Sequence, residues 1–161
     1  HSSPRRQRQM CIRDSIKTLP QLKKKYIDTG KVQLEFIDYP LDRLAVIAAT
    51  LARSIPTKDG YVEAVSILLK KQKQWAYSKN PLNELQSIAK LFGISSKKFN
   101  DISQNIPLMQ EIVTKMEKES KNFDINSTPT FIVNDKYKIS GALSFKDFEK
   151  ELLKSINAKK S

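Results

Sequence analysis

One cysteine, one histidine and four glycines are all that the 161 residues hold of three residue types on which much protein chemistry depends. A single cysteine cannot close an internal disulfide, and with one histidine it cannot complete a structural zinc site. Read alone, that cysteine count would suit a reducing compartment. None of the four glycines falls in a GxGxxG or Walker-type run, which excludes a glycine-rich phosphate loop. The longest apolar stretches, such as residues 44–51, fall far short of the roughly 20 residues that span a bilayer. No signal-type segment can be read in these residues, and the chain opens on His1 rather than Met, so the expectation is that the native start lies elsewhere.

What is present is a globular composition with a strong basic excess. Hydrophobic residues make up 39% and charged residues 29%, enough apolar content for one domain with a sizeable core. The formal charge of +12 raises the question of nucleic acid. Its distribution answers that question. The lysines are spread along the whole length on the polar sides of helical stretches, and no RNP, zinc-finger or basic-zipper pattern accompanies them. The reading is a solvated lysine-rich surface, with no nucleic-acid partner.

The six arginines mark a seam. Arg5, Arg6, Arg8 and Arg13 precede the first lysine, Lys17, whereas only Arg43 and Arg53 follow it. The opening run HSSPRRQRQMCIRDS also lacks hydrophobic periodicity. It reads as a structureless, non-native segment, and its QMCIRDS portion looks like a translated sequencing-adapter remnant rather than a basic arm. Residues 1–15 are therefore set apart, and one domain is expected over 16–161.

From Ile16 the order of elements is legible. Leu19, Leu22 and Tyr26 recur at helical spacing, with Pro20 as a kink, and Gly30 permits the left-handed stop. Val32, Leu34 and Phe36 alternate with polar residues, predicting a strand over 31–38 that Pro40 closes. A helical insertion is expected at about 41–122. Its helices run over 41–55, over 60–74 with Asp59 as N-cap, and over 81–91 opened by Pro81. Ser95 caps a short helix, and Pro107 opens one that reaches about 121. Trp75 and Tyr77 read as a pair packed between helices. Thr130 to Val133 and Lys136 to Ser140 predict a hairpin around Asn134-Asp135, broken at Gly141. Ser144 then caps a last amphipathic helix through Phe145, Phe148 and Leu152.

Two blocks carry a resemblance: TLPQLKKKYIDTGKVQLEFIDYPLD at 18–42 and INSTPTFIVNDKYKISGALSFKDFEKEL at 125–152. In order and spacing they resemble the DsbA-like branch of the thioredoxin superfamily, especially its alphaproteobacterial members. The resemblance covers about nine-tenths of the chain. It implies an α/β thioredoxin-like fold with a helical insertion, here lacking the first, central strand. It makes Pro129 a cis-proline and Thr128 its partner, a substrate-binding pair opposite the redox centre. It further implies thiol-containing protein substrates, a membrane redox partner, a periplasmic location, and neither cofactor nor metal.

The family's chemistry rests on a Cys-x-x-Cys a few residues before the TLP block, where a helix N-terminus lowers a thiol's pKa. Cys11 stands about where the second of those cysteines belongs, but Arg8 occupies the first position. Cys11 is a catalytic candidate only if it is native. The chain as written is expected to be an inactive fragment that folds poorly, because loss of a central strand leaves two strand edges unpaired. Ser54 and Ser103 occupy places where a number of relatives carry a second cysteine pair. Two alternatives stand beside this reading. One is a glutathione transferase kappa or hydroxychromene isomerase relative, which shares the insertion but lacks the cysteine pair. The other is a basic helical protein that binds nucleic acid or membrane.

Overall fold

A computed structural model describes residues 17–140 and 143–158. Within them the first helix, α1, is helical over 17–22 and continues as a π-helical turn, Lys23–Ile27. There follow α2 (Arg43–Arg53), α3 (Lys58–Lys70), α4 (Gln72–Ala76), α5 (Pro81–Lys90), α6 (Ser96–Ser103) and α7 (Ile106–Phe123). The hairpin β1 (Thr130–Val133) and β2 (Tyr137–Ser140) and the last helix, α8 (Phe145–Ala158), complete the order. Expected features at residues 1–16 and at Gly141 lie outside the described residues. The chain divides into two compact units: Ile37–Lys118, and the residues on either side of it.

The flanking unit is a hairpin backed by helices. The antiparallel strands pair Thr130 with Ser140 and Val133 with Tyr137, and Lys136 donates its N–H to the Val133 carbonyl at 3.2 Å. Asn134 and Asp135 both take positive φ, 54° and 56°. That conformation matches a hairpin's twist, and Asn and Asp tolerate it better than most residues. Leu22 and Tyr26 of α1, Ile139 of β2, and Phe148 and Leu152 of α8 form the buried core. Phe131 lies against Phe148 with ring centroids 4.5 Å apart and planes tilted by 57°. At the core's edge the Tyr26 hydroxyl donates to Glu149 at 2.7 Å, and Lys25 pairs with the same carboxylate.

Among the described residues, no ladder includes the segment predicted as a strand over 31–38. Its exposure nevertheless alternates residue by residue, and Val32 and Leu34 pack against the core. A strand is defined by its ladder, and among the described residues the only ladder joins β1 to β2. The side-chain period expected of a strand is present.

The helical unit is built around α2, which packs on α3 and α6, while α5 packs on α4 and α6. Leu51 and Ala52 of α2, Leu85 and Ala89 of α5, and Phe99 of α6 are among its most buried side chains. Thr50, also wholly buried, donates its hydroxyl to the Val46 carbonyl at 2.7 Å, so its one polar group is satisfied within its own helix. Ser54 and Ser103 likewise donate to their own helices, at Thr50 and Asn100.

Two sequence expectations fail here. The helix predicted over 60–74 breaks at Lys71, and its N-cap is Thr57, whose hydroxyl accepts from the Gly60 N–H, rather than Asp59. Trp75 and Tyr77 do not form a packed pair. Trp75 is buried, with its indole N–H bonded to the Leu68 carbonyl at 2.9 Å, whereas Tyr77 is 70% exposed. The bond to Leu68 folds α4 back on α3 and fixes which face of this short helix looks inward.

Candidate functional site

The segment between α7 and β1 carries the two candidate site residues, Thr128 and Pro129. After Phe123 the backbone leaves α7 through Asp124, whose φ of 50° lies in the left-handed region. Ile125 N–H closes the helix end on the Ser120 carbonyl at 2.9 Å, and the Lys138 ammonium reaches across from β2 to the Asp124 carbonyl at 2.9 Å. A lysine on an orphan helix-end carbonyl serves hydrogen bonding and helix dipole together.

Ser127 and Thr128 then lie exposed, and the Thr128–Pro129 peptide bond is cis. The Thr130 hydroxyl donates back to the Ser127 carbonyl at 2.7 Å, bracketing that bond from its far side. Pro129 is half-buried and leads directly into β1, whose Phe131 and Val133 pack on the core beneath. A surface turn is thus mounted on a strand whose own side chains are anchored. Among the described residues β1 pairs on one side only, with β2.

Cys11 lies outside the described residues. No group of three or more His, Cys, Asp or Glu side chains among the described residues is arranged to hold a metal, and no described helix is long and apolar enough to cross a membrane.

Sequence reasoning missed two polar clusters, one in each unit. In the flanking unit Glu149 accepts from Lys25 and Tyr26, and these two bonds, the lysine's first, hold its carboxyl below the usual carboxylate range. Burial, and then the bond to Glu149, pushes the Tyr26 hydroxyl up to about 12. In the helical unit Asp38 accepts from Arg53 Nε at 2.6 Å and from the Tyr61 hydroxyl at 2.7 Å. The Arg53 guanidinium also lies 4.1 Å from the Tyr61 ring centroid. Burial, and then the neighbouring Asp38 charge, raises the Tyr61 pKa far above its ordinary value. Partners separated by as much as 124 residues leave no short-range signal.

Comparisons with known proteins bear on the family and the fold. A thioredoxin family model matches residues 10–154. Proteins of Rickettsia typhi and Rickettsia conorii named as protein-disulfide oxidoreductases are each 30% identical over 115 residues, 71% of this chain. The match spans 43% and 42% of those proteins' own lengths, less than half of either. Among solved structures, Wolbachia pipientis α-DsbA1 superimposes with a TM-score of 0.75 at 27% identity, covering 88% of this chain and 78% of that one. A variant of it with two cysteines replaced by alanine gives 0.79 at 26% identity, covering 92% and 82%.

Proposed function

The chain belongs to the thioredoxin family, with a DsbA-like fold, and from that premise we propose that residues 17–158 are the peptide-positioning part of a thiol–disulfide oxidoreductase. The observation that carries the reading is the exposed Ser127-Thr128 turn that leads through Pro129 into β1, a strand paired on one side only among the described residues. Such a turn holds backbone donors and acceptors beside an open strand end, where an extended peptide can dock as an added strand.

The chemistry itself is exchange. A substrate thiolate attacks one sulfur of the enzyme's disulfide, forming a mixed disulfide and releasing the other enzyme cysteine as a thiolate. A second substrate thiolate then attacks the substrate sulfur of that bond. The substrate leaves oxidised and the enzyme pair leaves reduced, its protons taken from solvent. Two cysteines are needed, and the 161 residues hold one, Cys11, so the chain as written positions a peptide without oxidising it. Thr128 and Pro129 are assigned the substrate contact. The substrates are reduced secreted proteins in the periplasm, and a membrane redox partner reoxidises the cysteine pair.

The test supplies the missing pair. A Cys-x-x-Cys-bearing N-terminal segment from an active DsbA-like relative is joined ahead of residue 17, and oxidative refolding of a reduced protein is followed. The chimera is expected to oxidise the substrate while the 161-residue chain does not. In the chimera, Thr128→Arg should raise KM for a thiol peptide about tenfold, equivalent to about 1.4 kcal/mol of binding. A chimera that folds, forms its disulfide and still fails to oxidise the substrate would refute the assignment.

A further inference from the structure

The corner where α3 turns through α4 into α5 has a surface that the oxidoreductase reading does not use. Between Glu63 and Glu84 there is no acidic residue, and Lys70, Lys71, Lys73 and Lys79 fall inside that interval. All four are exposed, and none forms an ion pair with a described residue.

The fold decides what stands beside them. Trp75 points inward, held by its bond to Leu68. At about 100° per residue, positions two before and two after it fall on the opposite side of α4. Those positions are Lys73 and Tyr77, the residue that caps the end of α4; they are four apart, and both are exposed. Tyr77 is 70% exposed, and Leu82, at the start of α5, is 46% exposed. Leu82 lines a shallow, open cleft together with Lys79, Asn80, Pro81 and Asn83.

From this arrangement we infer that the corner formed by residues 70–82 docks on an anionic phospholipid surface, with the lysines at the headgroups and Tyr77 and Leu82 in the interface. The charge complements such a surface and is carried by lysine alone. Lysines act as point charges suited to a diffuse sheet of phosphates, not as the bidentate forks that read a single phosphate or carboxylate. An exposed tyrosine and leucine interleaved with lysines are the residue types that settle at the level of headgroups. The shallow cleft has no enclosed pocket in which a peptide side chain could anchor. That geometry favours a bilayer over an acidic peptide.

The experiment sediments the full 161-residue chain with vesicles of phosphatidylcholine alone and of phosphatidylcholine mixed with phosphatidylglycerol. Binding is expected only to the mixed vesicles, and should weaken with added salt. The pair Lys73→Glu with Lys79→Glu should reduce it at least about tenfold, whereas Lys146→Glu with Lys150→Glu on α8, an identical change in net charge, should leave it within about twofold. Tyr77→Ser should weaken binding without removing its salt dependence. The neutral pair Lys70→Gln with Lys71→Gln, with helicity checked by circular dichroism, repeats the test should the charge reversals disturb folding. Equal losses from both lysine-to-glutamate pairs would mean diffuse charge alone and overturn the proposal. So would an absence of binding to the mixed vesicles. Tight binding of an oligonucleotide that needs the same lysines and ignores Tyr77→Ser would also overturn it, in favour of nucleic acid.

Discussion

Asp38 is 13% exposed and takes two hydrogen bonds, from Arg53 and from Tyr61, while the guanidinium also stacks on the tyrosine ring. Removing one donor leaves a largely buried carboxylate with an unfilled lone pair, which costs more than the bond itself contributes. Tyr61→Phe should therefore lower stability by about 1–2 kcal/mol, read as a shift in urea midpoint with unchanged slope. An unchanged midpoint would mean that water replaces the hydroxyl. Tyr26 adds a pH signature. Its pKa is raised from 10.0 to about 12, so the folded state keeps a proton that the unfolded chain loses. The stability this provides is complete below pH 10.0 and is lost as the pH climbs toward about 12. Tyr61 is raised in the same direction and steepens the same limb. Denaturation midpoints across that range should fall less steeply for Tyr26→Phe than for the parent chain. Glu149 has the opposite sign. Its lowered pKa gives stability that is present above the ordinary value of 4.5 and is lost as the pH falls through the lowered one. Glu149→Gln should flatten that acid limb.

Helix starts show how one local competition is decided. Thr57 and Asp59 both precede the apolar stripe of α3, and either is a good N-cap by residue type. The chain uses Thr57, because Gly60 offers its N–H there and because no side chain fits at that glycine. A Cβ on Gly60 would lie 2.6 Å from Ile55 Cγ2 and 2.7 Å from Thr57 Oγ1. Gly60→Ala should consequently destabilise by about 1–3 kcal/mol although alanine is the better helix former, and Thr57→Ala by about 1 kcal/mol. Thermal unfolding of the two variants checks both, and a stabilised Gly60→Ala would show that helix propensity outweighs the clash. The same locality explains what the sequence made legible. Ser95, Ser144, Pro81 and the Asn134-Asp135 turn act within a few residues, and each stands where its chemistry predicts. The expectation for Thr128 and Pro129 rests on the block around them, which resembles a family pattern, not on Ser-Thr-Pro-Thr being distinctive in itself. The exposure of Tyr77 was hidden: it follows from the inward turn of Trp75 onto Leu68, a choice that an aromatic pair two residues apart does not encode. For the segment at 31–38 the sequence encodes a side-chain period, and the exposure of these residues follows it.

At the scale of the whole chain, apolar burial is divided unequally between the two units. The flanking unit rests on Leu22, Tyr26, Ile139, Phe148 and Leu152, whereas the helical unit buries residues from each of α2 to α7, with Leu51, Ala52, Leu85, Ala89 and Phe99 almost inaccessible. A two-stranded hairpin is marginal in water without a packed face, and here that face is supplied by α8 and α1. Opening of the hairpin should therefore require less free energy than opening of α2 or α5. Hydrogen exchange followed by mass spectrometry should find the β1 and β2 amides exchanging well before those at the centres of α2 and α5, with the turn at 124–130 fastest. Uniform protection across both units would show instead that they open only together. The order bears on the proposed chemistry, since a peptide added along β1 would meet the unit that opens more readily. The turn bearing Thr128 and Pro129 stands on the unit with the smaller core, so docking a peptide there disturbs little buried surface, while the helical unit keeps its own core closed.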